Sequence, residues 1–511
     1  MSTARRLISG SIASWVRIGI MMVSQVVLVP VYLTYWDVST YGVWIAVQAL
    51  VSIVSTLDQG HLSYMEFDFM KQGPKNVAGL RQSLWSGVWI AFFVGILEIV
   101  IVWAGIQLGI AAGLLDKDVN ISEGLVHQGM LVLLLLTVIW VFLSNIGGLF
   151  VRVLYPFGYY ARMSWWGVWA AVMTAFVPVI AVMMGADLLW AGITLALTNI
   201  AYTIPQFIDI FRLMKREGVG IQKVAPASGL KNFSRSLALS GKNLLENARQ
   251  TGVRVILSPI VGAVGLVAFT TTRTAANIAL QGLNTITGPL MPELMRFLNE
   301  KDQRRMESSF SLIWLVVILF LTPGVVLLQV IIVYFFREWT KGQVEFNPYL
   351  FSSLSLGVLV YALSQPSTAI IRGNNLLRPQ LVVAIVSAVV VIGGIVITVP
   401  ALGISGAGYS LLAGELVSLI LYVYFSNRWL ASNQLQWPSK LFALAVLSVL
   451  LSLAAMLAVI LFPVYKWITF AVSLVATIFI ARIYWKVLPA IATTAVKSYL
   501  GKIRLINKIL C

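Results

Sequence analysis

The sequence predicts an all-α polytopic membrane protein of about fourteen transmembrane helices: two six-helix lobes related by a parallel pseudo-two-fold, plus two extra C-terminal helices. Three observations predict it. The chain is 59% hydrophobic and 11% charged over 511 residues, with a mean hydropathy of +0.90, whereas soluble domains run at roughly 45–50% apolar and 25% charged. The apolar residues come in runs of about 20 or more, the length that crosses a hydrocarbon core. Lys and Arg gather in every second connection, as the positive-inside rule requires of a chain that threads a bilayer repeatedly.

The spans follow in order. The first, 8–33, comes after Arg5 and Arg6. It exceeds a signal-peptide core and has no convincing cleavage site, so it reads as an uncleaved span. The second, 41–63, leads into the basic "FMKQGPKNVAGLRQ", and the third, 83–110, leaves it. Spans 126–150 and 164–185 flank Arg152 and Arg162, and span 188–211 runs into "FRLMKREGVGIQK". Spans 235–258 and 262–290 precede "RFLNEKDQRR", and 309–335 and 348–371 follow it. Arg372 and Arg378 precede 379–400. The last spans are 405–426, 440–463 and 466–488, the final two joined by a minimal loop. This divides the chain into an N-terminal lobe 1–213, a basic cytoplasmic linker 214–234, a C-terminal lobe 235–427, helices 13 and 14 over 440–488, and a basic tail 489–511. Helices 13 and 14 read as a peripheral appendix. With both termini cytoplasmic, the outer loops hold only Lys117, Arg337, Lys341 and Lys466. The net charge of +17 is therefore accounted for by cytoplasmic loops, and no nucleic-acid partner is implied.

The segment "LSGKNLLENARQTGVRVILSP" carries Lys242, Glu246, Arg249 and Arg254. Were it a surface helix, every later loop would change sides and the charge bias would reverse, so it crosses. At helical spacing Lys242, Glu246 and Arg249 make one row, and Asn243, Asn247, Gln250 and Arg254 make the adjacent one. In the next span Arg273, Asn277, Gln281 and Asn284 share a face. Span 1 carries Ser14, Arg17, Ser24 and Gln25, and span 2 carries Tyr41, Gln48, Ser52, Ser55 and Gln59, with Asp58 beside them. Basic residues this deep cost about 2.5–3.5 kcal/mol each on insertion scales and normally face a bundle interior or water. The pattern predicts a shared, positively charged cavity walled by spans 1, 2, 7 and 8, with purely structural pairing as the plainer reading of any one residue.

Other residues give less. Asp58 and His61 are candidates for ion coupling, although capping the cytoplasmic end of span 2 is the plainer role for His61. Two histidines and one cysteine, Cys511, exclude a His/Cys metal site and an internal disulfide. No phosphate-cradling G-x-x-x-x-G-K motif is present, and no cofactor is expected. The aromatic run "YPFGYYARMSWWGVW" reads as an interfacial belt.

The plan is duplicated. "VLVPVYLTYWDVSTYGVW" and "VILSPIVGAVGLVAF" both close a helix on proline, at Pro30 and Pro259, and open the next on glycine, at Gly42 and Gly265. Gln59-Gly60 and Gln281-Gly282 follow at nearly the same distance. Parallel repeats of this kind mark transporters whose substrate site lies between the halves.

Fourteen spans, "VPVYLTYWDVSTYGVWIAVQALVSIVSTLDQG", the "GNNLLRPQL" turn and "ALGISGAGYSLLAGELVSLILY" resemble the Wzx-type lipid-linked oligosaccharide flippases of the multidrug/oligosaccharidyl-lipid/polysaccharide superfamily. The resemblance implies two six-helix lobes around a V-shaped cavity. It implies translocation of undecaprenyl-diphosphate-linked sugars to the outer leaflet of a bacterial inner membrane by alternating access, for polysaccharide export. It also implies diphosphate contacts from Arg17, Arg249, Arg254 and Arg273, and partnership with membrane lipids and with polysaccharide polymerase and export machinery.

The chemistry agrees: guanidinium forks suit diphosphate, and Asn, Gln and Ser rows suit sugar hydroxyls. A membrane polymerase or ligase needs a substantial catalytic outer loop, and none is present, so no enzyme is expected. The alternative is an ion-coupled multidrug or cation exporter of the same superfamily, which would favour an acidic or aromatic cavity over a basic one.

Overall fold

The structure is a computed structural model that describes residues 3–115 and 122–494; part of the predicted outer loop 112–124 and the tail beyond 494 lie outside them. All its regular elements among the described residues are helical. Twelve are long and apolar enough to cross a membrane, or thirteen when the bent pair Val38–Val54 and Thr56–Gln72 is taken as one span. One of the twelve, Leu239–Ile278, has 40 residues. At 1.5 Å per residue it would be about 60 Å long, twice a hydrocarbon core. It is broken at Gly262, whose φ of 71° suits a residue without a Cβ. It therefore holds the two spans that the sequence separates near 258–262, and the predicted total of about fourteen agrees with the architecture.

Two compact units divide the chain. The first comprises Met1–Thr270 with Trp339–Val344, and the second Thr271–Glu338 with Glu345–Cys511. This boundary does not coincide with the linker expected at 214–234. The seventh span clusters with the first six, because it is packed against them by the contacts described below.

In the first unit the helices are α1 (Thr3–Tyr35), α2 (Val38–Val54), α3 (Thr56–Gln72), α4 (Val77–Gln107), α5 (Ile110–Leu115) and α6 (Glu123–Ile139). A π turn, Trp140–Ile146, joins α6 to α7 (Gly147–Arg152), followed by α8 (Tyr160–Met183), α9 (Leu188–Arg216) and α10 (Pro226–Gln250). Side chains cap them where the sequence offers Asp, Asn or Ser. Asp37 accepts from Thr40 N at 2.8 Å, Asn76 from Gly79 N at 3.0 Å, and Ser122 and Asp187 cap α6 and α9. Leu62, Met65, Phe69, Leu80, Leu84, Leu149 and Ile210 form the core that unites α3, α4, α7 and α9. The linker does not hang free of this unit: Arg81 Nε donates to Gly218 O at 2.6 Å, and the Trp85 indole donates to Gly220 O at 3.0 Å.

Helix α11 (Gly252–Asn299) begins in the first unit and passes into the second at Thr271; the second unit goes on through α12 (Gln303–Val316), a π turn Val317–Leu321, α13 (Thr322–Trp339), α14 (Pro348–Gly373), α15 (Leu377–Leu402), α16 (Ile404–Ser432), α17 (Ser439–Leu461) and α18 (Lys466–Val487). The most apolar window of α14 is 94% buried, so α14 is the unit's central helix. Its Ser, Gly and Ala residues allow close helix approach. Helices α17 and α18 meet the expectation of a peripheral appendix only in part. For α18 the buried share is 17%, as an outer helix requires. Yet both helices reach the core: α17 through Ala445, Val449 and Met456, with Ser452 Oγ donating to Thr322 O at 3.4 Å, and α18 through Ile480 and the fully buried Tyr484, whose hydroxyl donates to Ser311 O at 2.8 Å. The small residues on one face of α17 let it come close, which mean apolarity does not reveal.

Candidate functional site

The chemistry-bearing helix of the first unit is α10. Pro226 starts it at N1, where its missing N–H costs nothing. Its face toward α3 is set by residues spaced three to four apart: Phe233 stacks edge-on with His61, Ser240 lies against Gly60, and Asn247 reaches the α2–α3 junction. At Gly60 the backbones are so close that an added Cβ would strike the Ser240 main chain. Helical spacing then places Lys242, Glu246 and Arg249 about half a turn away from that face.

The junction explains why Asn247 is there. The pair α2 and α3 bends by 44° at Ser55. A bend in a membrane span frees backbone groups that lipid cannot satisfy. Here Ser52 O accepts from Ser55 Oγ at 2.9 Å, Thr56 Oγ1 at 2.8 Å and Asn247 Nδ2 at 2.8 Å. The Asn247 amide also bonds to Thr56 Oγ1. Beyond the helix break at Thr251, Arg254 is half-buried, and its Nε is buried without a hydrogen-bond partner.

The second predicted row does not act as one face. Lys242, Asn243, Glu246, Asn247, Arg249 and Arg254 are all half-buried and Gln250 is exposed, but of these Asn247 is turned onto the α2–α3 junction, and Arg254 Nε is buried. Arg17 is exposed on α1, beside Gly167 of α8. Arg273 and Asn277 are half-buried in the second unit. The side chain of Gln281 lies outside the described residues.

The ion-coupling candidates are placed as follows. Asp58 is 1% exposed and accepts from the Trp140 indole at 2.9 Å. His61 is also 1% exposed, with Nε2 3.3 Å from Gly87 O. It is a buried packing residue between α3, α4 and α10 and does not serve as a helix cap. No group of three or more His, Cys, Asp or Glu able to hold a metal occurs among the described residues.

Sequence reasoning passed over Glu98, which is fully buried on α4. The signal was present: Glu98 is the only charge in "FFVGILEIVIVWAG", and an acid within a span is a functional candidate by default. The aromatic run is also more specific than a belt. Trp166 donates to Asp209 at 3.0 Å, and Arg162 binds the same carboxylate at 2.9 and 2.6 Å. Trp166 and Trp169, with Tyr202 and Pro205, line a cavity of about 350 Å³ between α8 and α9.

No protein-family model and no curated protein matches the sequence. Solved structures do match the architecture. An inward-facing multidrug resistance MATE family transporter of the MOP superfamily is similar over 82% of this chain and 98% of its own, with TM-score 0.61 and 12% identity. An outward-facing structure of such a transporter is similar over 84% of this chain and 96% of its own, with TM-score 0.52 and 14% identity. At this identity the likeness is one of fold, and the chain is a multi-pass membrane protein with the fold of the MATE transporters of the MOP superfamily.

Proposed function

We propose that the protein exports an anionic lipid-linked oligosaccharide, flipping an undecaprenyl-diphosphate-linked glycan from the cytoplasmic to the outer leaflet of a bacterial inner membrane by alternating access. The observation that carries this reading is the division of α10. Its packing face uses Asn247, while Lys242 and Arg249 remain half-buried on the other side with a single acid, Glu246, in their row. Two cations against one anion on a membrane helix suit a diphosphate, which Arg binds through paired charge-assisted hydrogen bonds. Asn243 and Gln250 add donors and acceptors for sugar hydroxyls. Arg17 on α1 supplies a further cation. An inside-negative potential assists outward movement of an anion by about 2.3 kcal/mol per charge per 100 mV. Both termini are proposed to be cytoplasmic, with polysaccharide polymerase and export machinery downstream.

The experiment is a deletion strain in which undecaprenyl-diphosphate-linked oligosaccharide is extracted and quantified. Complete lipid-linked units accumulate without the protein; the wild-type gene clears them and a K242A/R249A copy does not. If no such lipid accumulates, the flippase reading fails. The second reading, multidrug export, has one favouring observation, the aromatic cavity at Trp166, Trp169 and Tyr202, which suits apolar cations. It predicts drug hypersensitivity of the deletion strain with normal lipid-linked pools.

A further inference from the structure

The cavity between α8 and α9 has Trp166 and Trp169 on the α8 side and Thr198, Tyr202 and Pro205 on the α9 side. The polar atoms along it are already committed. The Thr198 hydroxyl donates to Thr194 O at 2.7 Å, the Tyr202 hydroxyl to Asn199 Oδ1 at 3.1 Å, and the Trp166 indole to Asp209 at 3.0 Å. No acid or base lines the space. What enters it is therefore hydrocarbon, because a polar group would lose its water and gain no partner. The room comes from α9, where Ala201 presents only a methyl group and Pro205 a compact ring.

The apolar space continues into a basic mouth. On α9 Thr198, Tyr202, Pro205, Asp209, Arg212 and Arg216 recur every three or four residues and share one face. On α8 Val177, Met173, Trp166 and Arg162 do the same. Both faces run from the cavity to charged residues at the same end. The two acids there are occupied: Asp209 accepts from Arg162 at 2.9 and 2.6 Å, and Glu217 accepts from Tyr159 at 2.6 Å. Arg212 and Arg216 are exposed, and neither is in an ion pair among the described residues. The positive-inside rule puts such an end toward the cytoplasm.

Length and charge then choose the occupant. From Trp166 to Val177 the helix rises about 16 Å, half of a hydrocarbon core of roughly 30 Å. The cavity thus has the depth of one leaflet. Its volume, about 350 Å³, is at the lower end for ligand sites and gives room for one chain. The arginines at its mouth suit a phosphate. An apolar cation would find aromatic walls but no acid. We propose that the cavity binds an anionic phospholipid of the cytoplasmic leaflet, with one acyl chain between α8 and α9 and the phosphate at Arg212 and Arg216. The site uses no residue of α10 and does not rest on the export reading.

The test is native mass spectrometry of the purified, delipidated full-length protein, titrated with phosphatidylglycerol or phosphatidylethanolamine carrying the same acyl chains. The wild type retains one phosphatidylglycerol at least about fivefold more tightly than phosphatidylethanolamine. Arg212→Gln/Arg216→Gln removes that preference and leaves phosphatidylethanolamine binding as it was. Ala201→Phe, which fills the cavity from an exposed position, reduces retention of both lipids. Phosphatidylglycerol with a diazirine in its acyl chain labels α8 or α9 beside the cavity in the wild type and not in Ala201→Phe. Equal retention of the two lipids by the wild type, or retention unchanged in either variant, overturns the proposal. Displacement of phosphatidylglycerol by a lower concentration of an isoprenyl diphosphate also overturns it, because the cavity then seats the tail of an exported lipid. Displacement by tetraphenylphosphonium overturns it as well and makes the cavity a drug site.

Discussion

The side-chain amide of Asn247 on α10 donates to the main-chain oxygen of Ser52 at the end of α2, 2.8 Å away. This bond ties the seventh span to the bend in the second. It satisfies a carbonyl that also receives Ser55 and Thr56. Asn247→Leu removes the donor, leaves the bend with fewer partners and places branched bulk against Thr56. Interhelical hydrogen bonds in membranes are worth about 0.6–2 kcal/mol. The expected result is a loss of about that size in thermal or denaturant unfolding in detergent. Asn247→Gln should recover less than half, because its longer side chain misplaces the amide.

Gly60 and Gly105 form a contrasting pair. A Cβ on Gly60 would overlap the Ser240 backbone, whereas a Cβ on Gly105 meets nothing within 4 Å. Gly60→Ala must push α10 from α3 and should cost about 1–3 kcal/mol or more. Gly105→Ala on α4 should be neutral or stabilising by up to about 1 kcal/mol. Folded yield by fluorescence-detected size exclusion, followed by melting, distinguishes them. Equal effects would show that the α3–α10 contact is looser than described.

Arg249 and Arg254 are expected to fail differently. Arg254 has its Nε buried without a hydrogen-bond partner beyond the break at Thr251, and Arg249 stays half-buried on the side of α10 away from α3. Arg254→Ala should lower the melting temperature, and activity should fall in proportion to the folded protein. Arg249→Ala should leave melting unchanged and reduce clearance of lipid-linked oligosaccharide at least tenfold. Arg249→Lys should restore only part of it, because an ammonium lacks the bidentate fork. A drop in stability for Arg249→Ala with normal clearance would reverse the two assignments.

Tyr159 gives a pH signature away from the spans. Its phenol donates to Glu217 at 2.6 Å, and that bond to the carboxylate holds the phenol above the ordinary tyrosine range. The folded state thus keeps the proton more tightly than the unfolded state. The contribution is fully present below the ordinary tyrosine pKa of about 10 and is lost as pH rises through the folded value. Tyr159→Phe should therefore lower stability at neutral pH and flatten the alkaline fall. Melting curves between neutral pH and the alkaline limit check it, and an unchanged slope would mean that the bond is absent in solution.

Several parts of this architecture were legible in the residues. The number of spans followed from apolar run length. The side alternation of Lys and Arg placed the charged segment among the spans, and the structure holds it within the long apolar helical stretch Leu239–Ile278. Those inferences work because a bilayer imposes one length and one charge asymmetry on every crossing. The break at Gly262 falls on the first residue of span 8, at the boundary expected between spans 7 and 8. Other parts were not legible. Periodicity placed Asn247 and Arg254 in a hydrophilic row, but whether a polar row meets water or another helix depends on the neighbour. For Asn247 that neighbour is Ser52 and Thr56.

By itself the sequence determined that the chain is helical, that it crosses a membrane many times and that basic residues recur at helical spacing along 242–273. Each of these is a local property, set by apolar length, helical period and charge. Only the tertiary structure decided that the seventh span packs with the first unit, that α17 belongs to the core of the second, and that Asn247 meets the bend at Ser52. Those relationships join residues far apart in the chain. They depend on which small residues leave room for a neighbour, as Gly60 does for the Ser240 backbone and Gly95 for the Val141 side chain. Hydropathy is blind to that, because glycine counts only for the space it leaves to its neighbour.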